Sequence, residues 1–270
     1  MAIQVNGTTV IDNSRNLSNV GGLKTVGGTA ILGSGNIAVG ESVPSFDPTA
    51  TPNATFTSSG TWNKPSLSSA TWVVIQMVGG GSGGSGSSWG VGGNGGSTTV
   101  LGYKASTLPS SISFTIGTGS AGVGGDGPAP GGNTSATIDG RLYIGAGGTS
   151  NGSNSSNYTA TLSNATTSGS YLMINSGVSP YAYDGSGASG GRNVKNGTDF
   201  APQNSLFGGG AGAGLSFNGA TAGGGTPGTS TYAGNGGTNH NVGSVYGGGG
   251  GGNSGSGSGG NGGVKIWYIS

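Results

Sequence analysis

Residues that could do chemistry are few in this sequence and lie far apart. The chain has one histidine, His240, no cysteine and seven carboxylates among 270 residues. A serine-hydrolase triad would have to use His240, which lies among Asn and Gly residues that offer it little support. Glycoside hydrolysis needs two carboxylates about 5–10 Å apart, and Asp184 and Asp199 could approach each other between neighbouring loops, although solvated turns are their commoner role. We therefore predict that the chain is not an enzyme.

Metal and cofactor sites have equally little support. Thiolate sites are excluded, and one histidine cannot form a cluster within one chain, although a threefold axis could bring three copies of it together. Residues 81–86 read Gly-Ser-Gly-Gly-Ser-Gly and match a dinucleotide-binding pattern, but no helix follows and such dense glycine produces this match by chance. We expect no catalytic residue, no metal and no cofactor.

The side chains best suited to binding are aromatic and lie mainly in three segments that contain less glycine, 154–184, 192–206 and 226–246. Rings with a polar handle can stack on sugars or pack against protein loops. The alternative is that half or more of them close the ends of the fold. Our candidate contact residues are Trp89, inside a glycine tract, and Tyr158, Tyr181, Tyr183, Arg192, Phe200, Tyr232, His240 and Tyr246.

Glycine dominates the elements that must position these side chains. The chain has 67 glycines and 10 prolines, yet only 6% of its residues are charged and 19 are aromatic. Disordered chains usually carry high charge and few aromatics, so we predict an ordered fold. The glycine tracts cover about 79–96, 117–132, 145–153, 185–191, 207–225 and 247–263.

Extended glycine can form a left-handed threefold helix, and several such rods can hydrogen-bond side by side because no Cβ intervenes. Each net backbone hydrogen bond contributes about 0.5–1.5 kcal/mol, comparable to the ordering cost of about 1–2 kcal/mol per residue. Only an extensive array would be stable. The alternative is flexible linkers, and replacement of an inward-facing Gly210 or Gly249 by Val separates the two by its effect on melting temperature.

Short β-strand patterns alternate with these tracts. Residues 72–78 form a nearly continuous apolar run, typical of a strand covered on both faces, and 264–269 alternate up to the end of the sequence. Residues 54–78 as a whole suggest two strands, and no helix of ordinary length is legible. We predict an all-β fold with polyglycine II-like rods, and further short strands at 98–101, 112–116, 137–138, 141–144 and 171–174.

The first 53 residues differ from the rest. Asn6-Gly7 between two β-branched runs predicts a hairpin. Leu17, Val20, Leu23 and Val26 recur every three residues, which suits subunits wound around a common axis, and three prolines then favour an extended connector. We divide the chain into 1–53, an attachment or trimerisation segment with a Pro-rich connector, and 54–270, a glycine-rich β domain.

Two parts of the sequence resemble bacteriophage tail proteins. Phe56-Thr57-Ser58-Ser59-Gly60-Thr61-Trp62-Asn63-Lys64-Pro65, the internal turn from Ile116 to Gly122 and the ending from Gly262 to Tyr268 resemble the glycine-rich domain of those proteins. Residues 5–17 look like a repeat of marine-phage tail fibres. The likeness to distal adhesins of T-even-like phages implies a sandwich of polyglycine rods whose loops contact a host receptor, although the N-terminal segment departs from those adhesins.

The resemblance implies a virion tail fibre as the location, with synthesis in the host cytoplasm. The expected partners are copies of the chain in a homotrimer, other tail or fibre proteins through 1–53, and a polysaccharide or outer-membrane protein of the host. A formal charge of +1 gives no footprint for nucleic acid, and no apolar run is long enough for membrane insertion. The alternatives are a purely structural appendage and, with less support, a glycine-rich ice-binding or cell-surface protein.

Overall fold

A computed structural model describes the chain in two compact units, residues 1–44 and 45–270. In the first unit, β1 (Ile3–Val5) and β2 (Thr8–Ile11) pair antiparallel, which confirms the predicted hairpin. The residues with the threefold apolar period lie outside the described ones. The structure describes residues 3–5, 8–11, 46–86, 92–124, 129–149, 192–193, 199–200, 204–205, 208–212, 214–215, 221–222, 226–238, 241–252 and 257–270.

The second unit contains two four-stranded antiparallel sheets. The first has the order β3-β14-β5-β6 and the second the order β4-β7-β8-β9. Their strands are β3 (Ala54–Phe56), β4 (Gly60–Asn63), β5 (Trp72–Val78), β6 (Thr98–Lys104), β7 (Ser111–Thr115), β8 (Thr134–Ile138), β9 (Arg141–Gly145) and β14 (Gly263–Ile269). Within the described residues, the single helical element is the short 3-10 turn Ala105–Thr107. The prediction of an all-β fold is confirmed.

Along the strands, side chains that face inward alternate with side chains that face outward, and the inward ones form a sandwich core between the two sheets. Ile75 of β5, Ile112 of β7 and Ile266 of β14 all belong to this core and are almost completely buried. Every residue of β5 is buried, as predicted, because its second face is covered too. On that outer face Val74 packs with Trp267 in a smaller apolar cluster. β14, which belongs to both clusters, lies in the middle of its sheet, between β3 and β5.

One prediction for the start of this unit needs correction, and the residues just before residue 54 pack on the first sheet. Residues 54–78 form three strands instead of two, because Ser58 and Ser59 carry the chain from the first sheet to the second. Residues 46–53, which we assigned to the connector, pack on β14. Phe46 contacts Trp267 edge to face, and the Trp267 Nε1–H donates to the Ala50 carbonyl at 2.8 Å. The compact unit thus begins at residue 45.

The described glycine tracts form a lattice of hydrogen-bonded rods. Residues 79–86, here called the central rod, continue directly from β5. Its Gly81 and Gly84 N–H groups donate to the Gly260 and Gly257 carbonyls, so the pairing recurs after three residues. This is the period of the polyproline II helix. Around it, backbone hydrogen bonds reach six other segments: 92–97, 117–124, 129–133, 145–149, 247–252 and 257–262.

Most described rod glycines are required by close backbone approach. A Cβ on Gly81 would lie 2.1 Å from the Gly248 carbonyl oxygen, and one on Gly249 would lie 2.0 Å from that of Gly93. Gly210 is similar, with 2.3 Å to the Gly228 oxygen. At Gly124, on the exposed rim, a Cβ would meet nothing within 4 Å. Side chains are therefore excluded from the lattice interior by the carbonyls of neighbouring rods.

Two tracts differ from the single rods that we predicted. The tract 79–96 is two antiparallel rods, since Ser82 N–H donates to the Asn94 carbonyl and Gly79 N–H to that of Ser97. The tract 207–225 is a rod, 208–212, followed by a small ladder of β12 (Gly214–Leu215) and β13 (Thr221–Ala222). The predicted tract 185–191 and strand 171–174 lie outside the described residues.

Candidate functional site

The structure describes four of the nine candidate contact residues. Arg192 and Phe200 are direct backbone partners in the ladder of β10 (Arg192–Asn193) and β11 (Asp199–Phe200). Tyr232 and Tyr246 are half-buried on the outer side of the first sheet. Candidates outside the described residues are Trp89, Tyr158, Tyr181, Tyr183 and His240.

The Tyr246 ring packs at the junction between the first sheet and the rods. A Cβ built on Gly263 would lie 2.5 Å from the Tyr246 ring, so the ring directly covers that glycine. The Lys265 ammonium lies 4.6 Å from the ring centroid, a cation–π geometry. Tyr246 has φ +67°, a backbone conformation that costs a non-glycine residue about 1–2 kcal/mol. The Tyr246 ring is therefore packed within the fold in spite of this backbone strain.

Burial shifts the titration of both groups in this contact. Desolvation raises the pKa of the Tyr246 hydroxyl, and a hydrogen bond with Thr55 opposes the shift. Desolvation lowers the pKa of Lys265. Both shifts disfavour the charged form, as expected where a sheet face is covered by another segment of the chain.

The backbone of Tyr232 is fixed to the same sheet face. Its carbonyl accepts a hydrogen bond from Lys265 Nζ at 2.9 Å and another from Gln76 Nε2 at 3.3 Å. Gln76 is buried in β5, so the turn that carries Tyr232 cannot shift along the sheet without leaving a buried polar group unsatisfied. This turn is a fixed support for the residues on either side of it.

Two exposed asparagines flank that turn, and our sequence analysis did not identify them. Asn204 Oδ1 accepts a hydrogen bond from the Thr229 N–H at 2.7 Å, and Asn235 Oδ1 accepts one from the Ser230 N–H at 2.8 Å. The Thr229 hydroxyl also donates to Asn204 Oδ1, at 3.2 Å. These residues, together with the exposed Thr231 next to Ser230, form what we call the amide cluster. Asn is common in turns of every kind, so the sequence carried no signal for this arrangement.

Beside the amide cluster lies a small apolar patch. Val242 and Val245 are 63% and 45% exposed. They lie three residues apart on the segment 241–252, and we call these two exposed side chains the valine patch. The Ser244 N–H donates to the Asn235 carbonyl at 2.8 Å, so the valine patch adjoins the amide cluster.

A cluster of metal-binding side chains is absent from the part of the chain that the structure describes. Within that part, three or more His, Cys, Asp or Glu side chains do not gather at any point that could hold a metal ion. The helical structure described there is also too short and too polar to cross a membrane. Around the turn that carries Tyr232, the described residues offer neutral hydrogen-bonding groups and the exposed side chains of Val242 and Val245, both suited to binding.

Comparison with known proteins gives one family. No curated protein matches the sequence. The family model described as a glycine-rich domain matches residues 54–269. This range begins at β3 and ends with β14, so it covers the sandwich together with all the described rods. The chain therefore belongs to the glycine-rich domain family.

Proposed function

We propose that this chain is a bacteriophage tail-fibre component that acts as a distal adhesin and binds a receptor on the host surface. Residues 1–53 attach it to other fibre proteins or to two further copies of itself in a homotrimer. The glycine-rich domain displays the contact surface at the tip of the fibre. Weak contacts on several copies then add through effective concentration, and no chemical step is involved.

The observation that carries this proposal is the anchoring of the loops by the rod lattice. In the predicted loop 226–246, the Gly228, Gly236 and Gly237 N–H groups all donate to backbone carbonyls of rods or neighbouring turns. The side chains of Thr229, Thr231 and Val242 remain exposed. A recognition surface on such a support loses little conformational entropy when it binds.

A purely structural appendage is the second candidate. It is favoured by Tyr246, a predicted contact residue that instead packs over Gly263 and Lys265. A structural role would need the same rods and sandwich, but the identity of the exposed side chains would not matter.

Competition with adsorption tests the proposal. Host cells are incubated with the purified full chain before the phage is added, and the adsorption rate is measured. We expect the rate to fall as the chain concentration rises, and antibody against the chain to label the fibre tip in electron micrographs. An unchanged rate at saturating chain, with label along the shaft, would support the structural candidate.

A second test changes the exposed side chains of the loop 226–246. Exchange of the whole segment 226–246 would remove backbone partners of the lattice, so loss of binding would not identify a contact. Replacement of the exposed side chains alone leaves those hydrogen bonds in place. The triple variant Thr229→Ala, Thr231→Ala, Val242→Ala is expected to compete poorly, while Thr118→Ala, on the exposed rim of another rod, competes like the natural chain.

A further inference from the structure

The amide cluster has a geometry that suits one class of ligand. A backbone N–H can be met only by an acceptor, so each asparagine turns its oxygen toward the chain and its NH2 group away from it. Thr229 and Ser230, which hold the two oxygens, are adjacent residues, with Cα atoms about 3.8 Å apart. Two amide groups are thus fixed on the same dipeptide, each with its donors directed outward.

The support beneath these amides is rigid. The Ala233 N–H donates to the Ser230 hydroxyl at 2.9 Å, which closes the turn. The Ser205 N–H donates to the Thr229 carbonyl at 2.9 Å, which joins the segment that carries Asn204 to that turn. The Tyr232 carbonyl is in turn held by Gln76 and Lys265. Hydrogen bonds thus connect the amide cluster to the buried strand β5.

We propose that Asn204, Thr229, Thr231 and Asn235 bind a neutral glycan, through its hydroxyl and acetamido oxygens. This inference deepens the proposed function and rests on it: the host receptor is then a polysaccharide. The exposed groups of the cluster are amides and hydroxyls, which match the oxygens of an uncharged sugar. An acidic glycan or a phosphate would call for an exposed cation, and Lys265, the cation that the described residues bring to this turn, is occupied beneath it.

A protein receptor is the competing occupant, and it would use a different part of the same surface. Protein interfaces centre on buried apolar anchors, and the anchors available here are Val242 and Val245. The amide cluster and the valine patch can be changed separately. The receptor class can therefore be decided with paired variants.

Asparagine-to-aspartate variants isolate the outward donors. In Asn204→Asp with Asn235→Asp, a carboxylate oxygen still accepts from the Thr229 and Ser230 N–H groups, but the outward donors are lost. The matched control is Asn133→Asp with Asn261→Asp. These residues accept from the Gly147 and Gly119 N–H groups, each at 2.9 Å, elsewhere on the lattice. Equal melting temperatures of all three proteins establish that the fold is retained.

The experiment measures retention of the purified full chain on host cells that are untreated, treated with mild periodate, or treated with protease. Periodate cleaves vicinal diols of sugars. We expect retention to be lost after periodate and kept after protease. We also expect the double variant at 204 and 235 to bind about tenfold or more weakly, as the loss of two or more hydrogen bonds would produce. The control at 133 and 261 should bind like the natural chain.

Three results would overturn the proposal in distinguishable ways. Unchanged retention of the 204 and 235 variant would exclude the amide cluster and leave the adhesin function standing. Loss of retention after protease, together with weak binding by Val242→Ser with Val245→Ser, would identify a protein receptor. Failure of the natural chain to bind host cells would remove the proposed function and this inference with it. The periodate and protease results need only the natural chain, so they remain decisive if a variant misfolds.

Discussion

The sandwich and the rod lattice lie side by side in one compact unit, and different parts of the polypeptide stabilise them. In the sandwich, buried side chains such as Ile75 and Ile266 form the core. In the lattice the backbone itself is the core, and Gly81 or Gly249 leaves no space for a Cβ. The sandwich gains its stability from apolar area removed from water. The lattice gains its stability from many small hydrogen-bond contributions.

This difference predicts opposite responses to side-chain size. A sandwich position is damaged when atoms are removed, because a cavity remains. A lattice position is damaged when atoms are added, because a carbonyl of the neighbouring rod already occupies the space.

Adding a methyl group inside the lattice should have the largest effect. In Gly81→Ala the new Cβ would approach the Gly248 oxygen to 2.1 Å, so the two rods must separate and several hydrogen bonds break. We expect a loss of about 4 kcal/mol in the free energy of unfolding, from overpacking plus two or more lost hydrogen bonds. Denaturant unfolding measures it.

The control for that variant is Gly124→Ala, where the Cβ has open space. It should unfold at the same denaturant concentration as the natural chain or at a slightly higher one, because alanine restricts the unfolded state. Equal losses at 81 and 124 would mean that the rods are not closely packed.

Removing atoms from the sandwich core should cause the second largest loss of stability. Ile75 is fully buried, and Ile75→Ala should cost about 3 kcal/mol through lost burial and a residual cavity. Because β5 continues directly into the central rod, we expect one cooperative transition that near-UV circular dichroism and glycine amide exchange both follow. Two separate transitions would show that the regions fold independently.

The rim of the lattice should be less sensitive. Asn133 and Asn261 accept hydrogen bonds from the Gly147 and Gly119 N–H groups, in positions where a further rod would otherwise supply a carbonyl. Each Asn→Ala change should cost about 1 kcal/mol, and each Asn→Asp change much less because the acceptor remains. Thermal melts of the four single variants measure the difference, and equal losses for Ala and Asp would contradict this role.

Alkaline pH should produce the smallest net effect, since its contributions oppose each other. Burial raises the pKa of Tyr103 and Tyr246 above 10.0, so stability that is present below pH 10 is lost above it, where the unfolded chain ionises first. The lowered pKa of Lys265 acts in the other direction between its folded value and 10.5. We expect a modest decline in melting temperature above pH 10 that Tyr103→Phe with Tyr246→Phe removes.

The strands could largely be predicted from sequence, whereas the contacts between rods could not. Residues 72–78 and 264–269 carry side-chain patterns that define a strand and its buried face. A glycine tract carries no such pattern, so nothing in residues 79–96 indicated that the chain turns back and pairs with itself. Rod pairing depends on backbone geometry that every glycine shares. The sequence could predict rods, but it could not predict which rods are neighbours.

The candidate site shows the same limit. Tyr232 and Tyr246 were identified by residue type, but only the packing of Tyr246 over Gly263 shows that its ring is used inside the fold. Asn204 and Asn235 became candidates because the structure fixes their oxygens on adjacent residues. A long-range arrangement of this kind leaves no mark in local composition.

Amide hydrogen exchange of the rod glycines, followed by NMR on the purified full chain, tests the central claim most directly. If the rods are rigid and laterally bonded, the N–H groups of Gly81, Gly84 and Gly93 should be protected as strongly as those of Val74 and Ile75 in β5. Exchange of these glycine amides within seconds, while the β5 amides stay protected, would contradict the lattice and the display of loops that rests on it.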